Sequence, residues 1–407
     1  MDSLKNLQDR GFLKQCSNID ALRDKLSQGP TTFYVGFDAT ADSLHIGHVV
    51  SLMAMAHLQK DGHLPICLLG GGTTMIGDPS GKTETRRIMP QEEIEANGKK
   101  LLEQFKNYID FSGDKALLIN NAKWLLPLNY IEFLRDIAKH FRVNEMIKAR
   151  GYEMRMERED GLSFLELNYQ LLQAYDFLVL FREKGCELQM GGDDQWSNIL
   201  AGVDLVRKVE QKPVFALTFP LLATASGQKM GKTESGALWL DPEKVSPYEF
   251  YQYWINVDDR DVEKFLKLFT FLPLEEIAEI CTGDIREAKS KLAFEATVIT
   301  HGEAEATKAM EASKSLFGSD AKNHENIPSV KIEAKLIESG ISVVDLFHMA
   351  GLAGSKTASR KLIEQGGAYI NDERVASAET VITEKDLTDG SLLLRQGKKN
   401  YMRVLIG

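Results

Sequence analysis

Apolar runs in this chain come in two lengths, and each ends in glycine or a polar loop. Residues 31–36 form a short β-rich run; after a polar loop, apolar positions resume at Val49 and continue to Leu58. That second run is too long and too evenly apolar for a half-exposed element. It predicts a buried helix, so the three pieces read as strand, loop and helix N-terminus. Residues 64–69 make a second strand-like run, ending at Gly70, Gly71 and Gly72, and residues 188–196 and 214–222 supply further strands, the former closing in a glycine turn. Strands with glycines at their ends, separated by helical patterns, predict an α/β fold. Its core is a doubly wound parallel-sheet (Rossmann-like) nucleotide-binding domain, with ligands at the carboxyl edge of the sheet.

Residues 1–30 are a polar helical lead-in closed by the turn at Gln28, Gly29 and Pro30. Residues 90–158 are mostly amphipathic-helical, interrupted at residues 124–130; an insertion there serves either as a subunit contact or as ordinary packing. Ser246, Pro247, Tyr248 and Glu249 form a capping box with proline at the first helical position, so a new helix starts there. Consecutive helices then fill residues 248–318, broken near Asp258 and Pro273, before a polar linker. The expected partition is a nucleotide-binding domain over residues 1–240, an all-α domain over 241–320, a linker over 321–340 and a small α+β domain over 341–407.

Composition changes this picture little. At 43% hydrophobic and 27% charged residues, the 407-residue chain is ordinary for a globular protein. The first residues lack an apolar secretory core and no run reaches membrane-span length, so a cytoplasmic location is expected. Cys16, Cys67, Cys186 and Cys281 lie far apart with no C-x-x-C pair, which argues against structural zinc and a disulfide framework. The net charge is −10; residues 341–407 hold nine basic and eight acidic residues, a net of +1 against −11 elsewhere. Nucleic-acid binding, if present, must therefore be local.

Candidate chemistry begins where the first strand meets the buried helix. Orphan backbone N–H groups and the positive end of the helix dipole point into that loop, and Gly47 lets a bulky anion approach. His45 and His48 stand there as donors to phosphate or ribose oxygens. No cysteine or acidic partner lies near them at ligand spacing, which speaks against a metal site. Gly81, Lys82 and Thr83 invite a P-loop reading, but three residues rather than four separate Gly77 from Gly81, and Pro79 interrupts the nest of donors. Lys82 and Arg86 are better suited to pyrophosphate oxygens and Asp78 to an ammonium group, the alternative being a solvated surface loop.

Tyr169, Gln173 and Asp176, at i, i+4 and i+7, share one face of a helix that is apolar almost everywhere else. Such a stripe needs partners, either a small polar ligand or hydrogen bonds between helices. At a further sheet edge Asp194 suits ribose hydroxyls and Gln195 a substrate carboxyl group. Lys229 and Lys232 lie on a small-residue loop able to close over phosphates.

His45-Ile-Gly-His48 resembles the HIGH signature of class I aminoacyl-tRNA synthetases. Lys229-Met-Gly-Lys-Thr233 resembles their KMSKS motif in the form frequent in the bacterial-type tyrosyl branch. That resemblance implies a tyrosine pocket in which Tyr34 and Asp176 hold the phenolic hydroxyl, Tyr169, Gln173 and Asp78 hold the ammonium group, and Gln195 assists. It implies catalysis by Thr40, His45, His48, Lys82, Arg86, Lys229 and Lys232, with ATP on Gly36, Asp38, Gly47, His48, Asp194 and Lys232 and with Mg²⁺ on its phosphates. The implied partners are L-tyrosine, ATP and tRNA(Tyr), with two copies of the chain as a homodimer. Residues 342–347 and 354–371 resemble the RNA-binding module named for small-ribosomal-subunit protein four, with Lys356, Arg360 and Lys361 offered to RNA and Arg395, Lys398, Lys399 and Arg403 as a second basic cluster. Two rivals stand beside this reading: a tryptophanyl enzyme of the same fold, and an RNA-binding regulator without activity.

Overall fold

The structure, a computed structural model, describes residues 2–80, 89–158, 161–225, 227, 230, 232–233, 236–317, 329–388, 390–397 and 400–406. Its main sheet has six strands: β1 (Gln15–Cys16), β2 (Thr32–Phe37), β3 (Leu64–Leu69), β4 (Leu117–Asn120), β5 (Cys186–Gly192) and β6 (Phe215–Phe219). Their spatial order is β1-β6-β5-β2-β3-β4, and only the edge strand β1 is antiparallel. The parallel part therefore runs outward from β2 in both directions. The order reverses between β2 and β5, where a doubly wound sheet leaves its ligand crevice.

Helices α1 (Ser3–Arg10) and α2 (Ile19–Ser27) lead in, and α3 (Ile46–Lys60) follows β2. Buried positions on α3 run through Val49, Leu52, Met53, Ala54, Met55 and Leu58, so no side of it is amphipathic. The short α4 (Thr73–Ile76) and the longer α5 (Gln91–Phe105) come after β3. The stretch expected to be helical over residues 90–158 contains the edge strand β4, paired with β3 through Leu69 and Asn120. Four residues on an edge are too few to show a period of two, which is why the pattern hid it. Beyond β4 lie α6 (Ala122–Leu125), α7 (Tyr130–Asp136), α8 (Val143–Met146) and α9 (Arg150–Met156), then the long α10 (Phe164–Lys184) and α11 (Trp196–Glu210).

After α12 (Pro247–Ile255) come α13 (Val262–Phe269), α14 (Leu274–Thr282), α15 (Ile285–His301) and α16 (Glu303–Phe317). The expected cut at residue 241 is not where the compact units divide. One unit is Met1–Val245 with Tyr253–Gly302, the other Ser246–Gln252 with Glu303–Gly407. The reason is visible at Arg10, which is 6% exposed. Its guanidinium donates to the carbonyls of Lys267 (3.2 Å), Thr270 (3.4 Å) and Leu272 (2.7 Å), satisfying the C-terminal end of α13 from α1. Asn107 Nδ2 donates to the Thr300 carbonyl, and the Tyr108 hydroxyl shares a hydrogen bond with Thr300 Oγ1, at 2.9 Å each.

In the second unit, β9 (Ser329–Ile332) pairs in parallel with β15 (Asn400–Ile406), completing a five-stranded sheet with β11 (Ala368–Ile370), β12 (Glu373–Arg374) and β14 (Ser391–Gln396). A two-stranded ribbon joins β10 (Ile341–Ser342) to β13 (Val381–Ile382). Helices α17 (Ala334–Glu338), α18 (Val343–Met349) and α19 (Lys356–Glu364) complete it. Residues 329–340, expected as linker, thus belong to the module, and Ile332 and Ile337 lie in its core with Leu346, Phe347, Leu394 and Val404. Residues 321–328 lie outside the described residues. Among the described residues, no helix is long and apolar enough to cross a membrane.

Candidate active site

A cavity of about 580 Å³ opens at the carboxyl ends of β2, β3 and β5. At its deep end, Tyr34 on β2 is 1% exposed and packs edge-on against Phe177, ring centroids 5.4 Å apart. Its hydroxyl is buried and has no hydrogen-bond partner among the described residues. Asp176, on the stripe of α10, is 2% exposed and accepts hydrogen bonds from Trp124 Nε1 (2.7 Å) and Asn121 Nδ2 (2.9 Å). Burial pushes its carboxyl up to about 7, with the charge of Asp38 adding and the two donors opposing. Burial likewise raises the Tyr34 phenol. The pocket floor therefore offers a hydroxyl with no partner among the described residues beside a carboxyl group that burial shifts toward its neutral form, a surface suited to a polar ligand tip.

The stripe residues converge as the helical spacing predicts. Tyr169 donates its hydroxyl to Asp38 Oδ2 (3.1 Å), while Gln173 Oε1 is buried with no partner among the described residues. Asp78 accepts from Ser80 N (2.9 Å) and from Gln195 Nε2 (2.7 Å), and Gln195 Oε1 accepts from Asn198 Nδ2 (3.1 Å). Asp194 is exposed at the rim, 3.3 Å from Gln195 Nε2.

At the opposite end, Gly36 is exposed in the middle of a buried strand because it faces the cavity, and a Cβ added there would meet nothing within 4 Å. His45 is the N-cap of α3. Its Nδ1 accepts from Gly47 N (3.1 Å), and His48 Nδ1 accepts from His45 N (3.2 Å), a reciprocal capping box made of imidazoles. With Nδ1 an acceptor, each neutral ring carries its hydrogen on Nε2 and is a donor there. The rings stack at 4.0 Å. Gly47 also serves this geometry, since a Cβ there would stand 2.8 Å from His45 Cε1. Thr40 lines the same end, its N–H bonded to Asp38 O (2.9 Å).

Two segments far apart in sequence are joined here. Ile46 N donates to Leu238 O and Leu240 N to Leu44 O, both at 2.9 Å, so residues 44–46 and 238–240 form a short antiparallel bridge. Leu238 and Leu240 are buried while Trp239 faces His45, centroids 6.0 Å apart. Before this bridge, β7 (Lys232–Thr233) and β8 (Gly236–Ala237) make a hairpin that carries the backbone of Lys232. The side chain of Lys232, together with Lys82, Arg86 and Lys229, lies outside the described residues.

Asn121, Trp124 and Thr73 escaped the sequence reading. Trp124 marked only an interruption there, and Asn121 follows the strand that was missed. In the second unit Lys356, Arg360 and Lys361 do share α19, but Lys356 pairs with Asp345 (2.6 Å) and Arg360 with Glu379 (3.0 Å). Lys361 has no ion-pair partner among the described residues. Of the second basic cluster, Arg395 lies over Tyr369 at 3.7 Å and Arg403 bonds Ser391 Oγ (3.2 Å); Lys398 and Lys399 lie outside the described residues. No group of three or more His, Cys, Asp or Glu among the described residues is arranged to hold a metal ion.

A family model described as tRNA synthetases class I (W and Y) matches residues 26–318, and one described as tyrosine–tRNA ligase SYY-like C-terminal domain matches residues 321–404. The chain is 52% identical over 403 residues, 98% of each chain, to the tyrosine–tRNA ligase of Clostridium botulinum (strain Loch Maree / Type A3). It is 51% identical over 409 residues, the whole of both chains, to the tyrosine–tRNA ligase of Caldanaerobacter subterraneus subsp. tengcongensis. Among solved structures it is similar to a C-terminally truncated mitochondrial tyrosyl-tRNA synthetase of Aspergillus nidulans, with a TM-score of 0.71 and 31% identity over 78% of this chain and 94% of that one.

Proposed function

The chain belongs to the class I tRNA synthetases, on the bacterial-type tyrosyl branch, and from that premise we propose how its cleft performs the reaction. It is an ATP-dependent aminoacyl-tRNA synthetase that attaches tyrosine to tRNA(Tyr). The tyrosine phenol pairs with the Tyr34 hydroxyl and the Asp176 carboxyl, and phenylalanine is rejected because it leaves the Tyr34 hydroxyl without that partner. Tyr169, Gln173 and Asp78 take the ammonium group, and Gln195 steers the carboxylate. ATP crosses Gly36 and Gly47 with its ribose toward Asp38, His48 and Asp194, and Mg²⁺ enters with it as part of the substrate.

The tyrosine carboxylate is already ionised, so no general base is required. It attacks the α-phosphorus in line, forming the acyl–phosphate bond of tyrosyl-adenylate as the bond to pyrophosphate breaks. Catalysis is positioning and charge stabilisation, with Thr40, the Nε2–H groups of His45 and His48, and Lys82, Arg86, Lys229 and Lys232 on the phosphates. A ribose hydroxyl of the terminal adenosine of tRNA then attacks the acyl carbon, and AMP leaves. Lys356, Arg360 and Lys361 meet the RNA backbone, with phosphates replacing the acid partners of the first two. Exposed apolar side chains crowd the insertion and its edge, at Tyr130, Ile131, Val143, Met154, Phe164 and Leu165, and support assembly as a homodimer through that face. The absence of a membrane-spanning helix among the described residues is compatible with work in the cytoplasm.

The observation that carries this assignment is the partnerless Tyr34 hydroxyl beside Asp176 in the same cleft as the histidine-capped helix. Amino-acid-dependent ATP–pyrophosphate exchange across all twenty amino acids tests it. Stimulation by tyrosine alone is expected; stimulation by tryptophan, or none at all, overturns it.

A further inference from the structure

The cleft contains a hydrogen-bond chain with only one possible direction. Gly72 N–H donates to Asn121 Oδ1 at 2.8 Å. A backbone N–H can only donate, so the Asn121 amide has a single orientation. Its two remaining hydrogens are both placed, one on Asp176 Oδ2 (2.9 Å) and one on Thr73 Oγ1 (3.1 Å). Having accepted from Asn121, Thr73 directs its one hydrogen to Asp38 Oδ1 (2.9 Å). Two acidic side chains of the cleft are thus joined through two neutral ones. Asn121 and Thr73 are 1% and 3% exposed, so water is a poor substitute for either link. The electrostatic coupling agrees, since the charge of Asp38 raises the proton affinity of Asp176.

We propose that Thr73 and Asn121 are positioning residues that hold Asp176 at the phenol end and Asp38 at the nucleotide end as one unit, so that disturbing the Thr73 hydroxyl is felt by both substrates. The inference rests on the assignment of tyrosine to Asp176 and ATP to Asp38. Hydroxyls that bridge two polar networks specify geometry beyond their own pairwise strength.

Thr73→Val keeps the shape and removes the hydroxyl. In tyrosine-dependent ATP–pyrophosphate exchange with the full chain, KM for tyrosine and KM for ATP should each rise about tenfold, the lower range for losing a hydrogen bond that orders a charged group. Tyrosine Kd from equilibrium dialysis without ATP should rise in parallel. Thr73→Ser, which restores the hydroxyl, should stay within about threefold of the parent in all three. A rise confined to one substrate, or a serine variant as impaired as the valine one, overturns the coupling. If Thr73→Val gives no folding transition in a thermal melt, Thr73→Ala is read against the same criteria. The parent chain reads the assignment separately: no exchange with tyrosine removes the functional reading and this proposal with it, whereas normal parental exchange with a one-sided variant removes the coupling alone.

Discussion

Deleting one oxygen, in Tyr34→Phe, should move stability and affinity in opposite directions. Among the described residues the Tyr34 hydroxyl has no hydrogen-bond partner, and the residue is 1% exposed. A buried hydroxyl left in that state costs about 1–3 kcal/mol. The phenylalanine ring keeps the edge contact with Phe177 at 5.4 Å and sheds only that penalty. Ligand-free Tyr34→Phe should therefore be more stable than the parent by about 1–3 kcal/mol. Tyrosine supplies the missing partner, so the variant should bind it about tenfold more weakly, or about 1.4 kcal/mol, with phenylalanine affinity unchanged. Urea unfolding with and without tyrosine, beside equilibrium dialysis of both amino acids, measures each quantity. A variant that is less stable when ligand-free, or that binds tyrosine as tightly as the parent, refutes the reasoning.

Asp176 should leave a mark on the stability–pH curve. Its folded value of about 7 lies above the ordinary 3.8, so the folded state holds the proton more firmly. Its contribution is full below about pH 4, declines as pH rises to about 7 and is level beyond, by roughly 4 kcal/mol at most. Asp176→Asn should flatten that decline; an unchanged slope contradicts the burial argument. Asp176→Ala should abolish exchange while circular dichroism stays native, and normal exchange kinetics would unseat the pocket assignment. Gly36→Val fills empty cavity space and should change stability by less than about 0.5 kcal/mol. It should still suppress exchange strongly, and parental activity would show that the nucleotide does not cross Gly36. Lys232→Ala should slow adenylate formation about 100-fold in single-turnover assays while tyrosine affinity without ATP stays near parental; a matching loss of that affinity would argue against a phosphate role. Arg10→Ala should cost about 2–4 kcal/mol in urea unfolding by orphaning carbonyls at the end of α13, and a change under about 0.5 kcal/mol would mean that water satisfies them.

How much of this could be read from sequence depended on whether each feature is local. The strand at residues 64–69 and the helix after His48 were legible because their apolar runs are long and sharply bounded, and the two signatures sufficed to identify the family. Tyr169, Gln173 and Asp176 were legible as a set because helical spacing alone brings them together. Asn121 and Trp124 were not, since their roles come from β4, four residues whose identity as a strand is set by pairing with β3. The cut expected at residue 241 rested on a genuine capping box at Ser246. Arg10 bonding the end of α13 joins residues more than two hundred and fifty positions apart, and no local pattern announces it.

The antiparallel bridge between residues 44–46 and 238–240 sets a rule for anyone rebuilding this chain. Because Leu238 and Leu240 point inward and Trp239 toward His45, a slip of one position would exchange core for cleft along the whole ribbon. A change of length between Phe219 and Leu238 must therefore restore the frame before Leu238, and it must spare the Lys232–Thr233 and Gly236–Ala237 pairing that leads into the bridge. Loop libraries built on this scaffold should therefore leave those three positions untouched, together with Lys229 and Lys232, whose assigned work on the phosphates depends on the same frame.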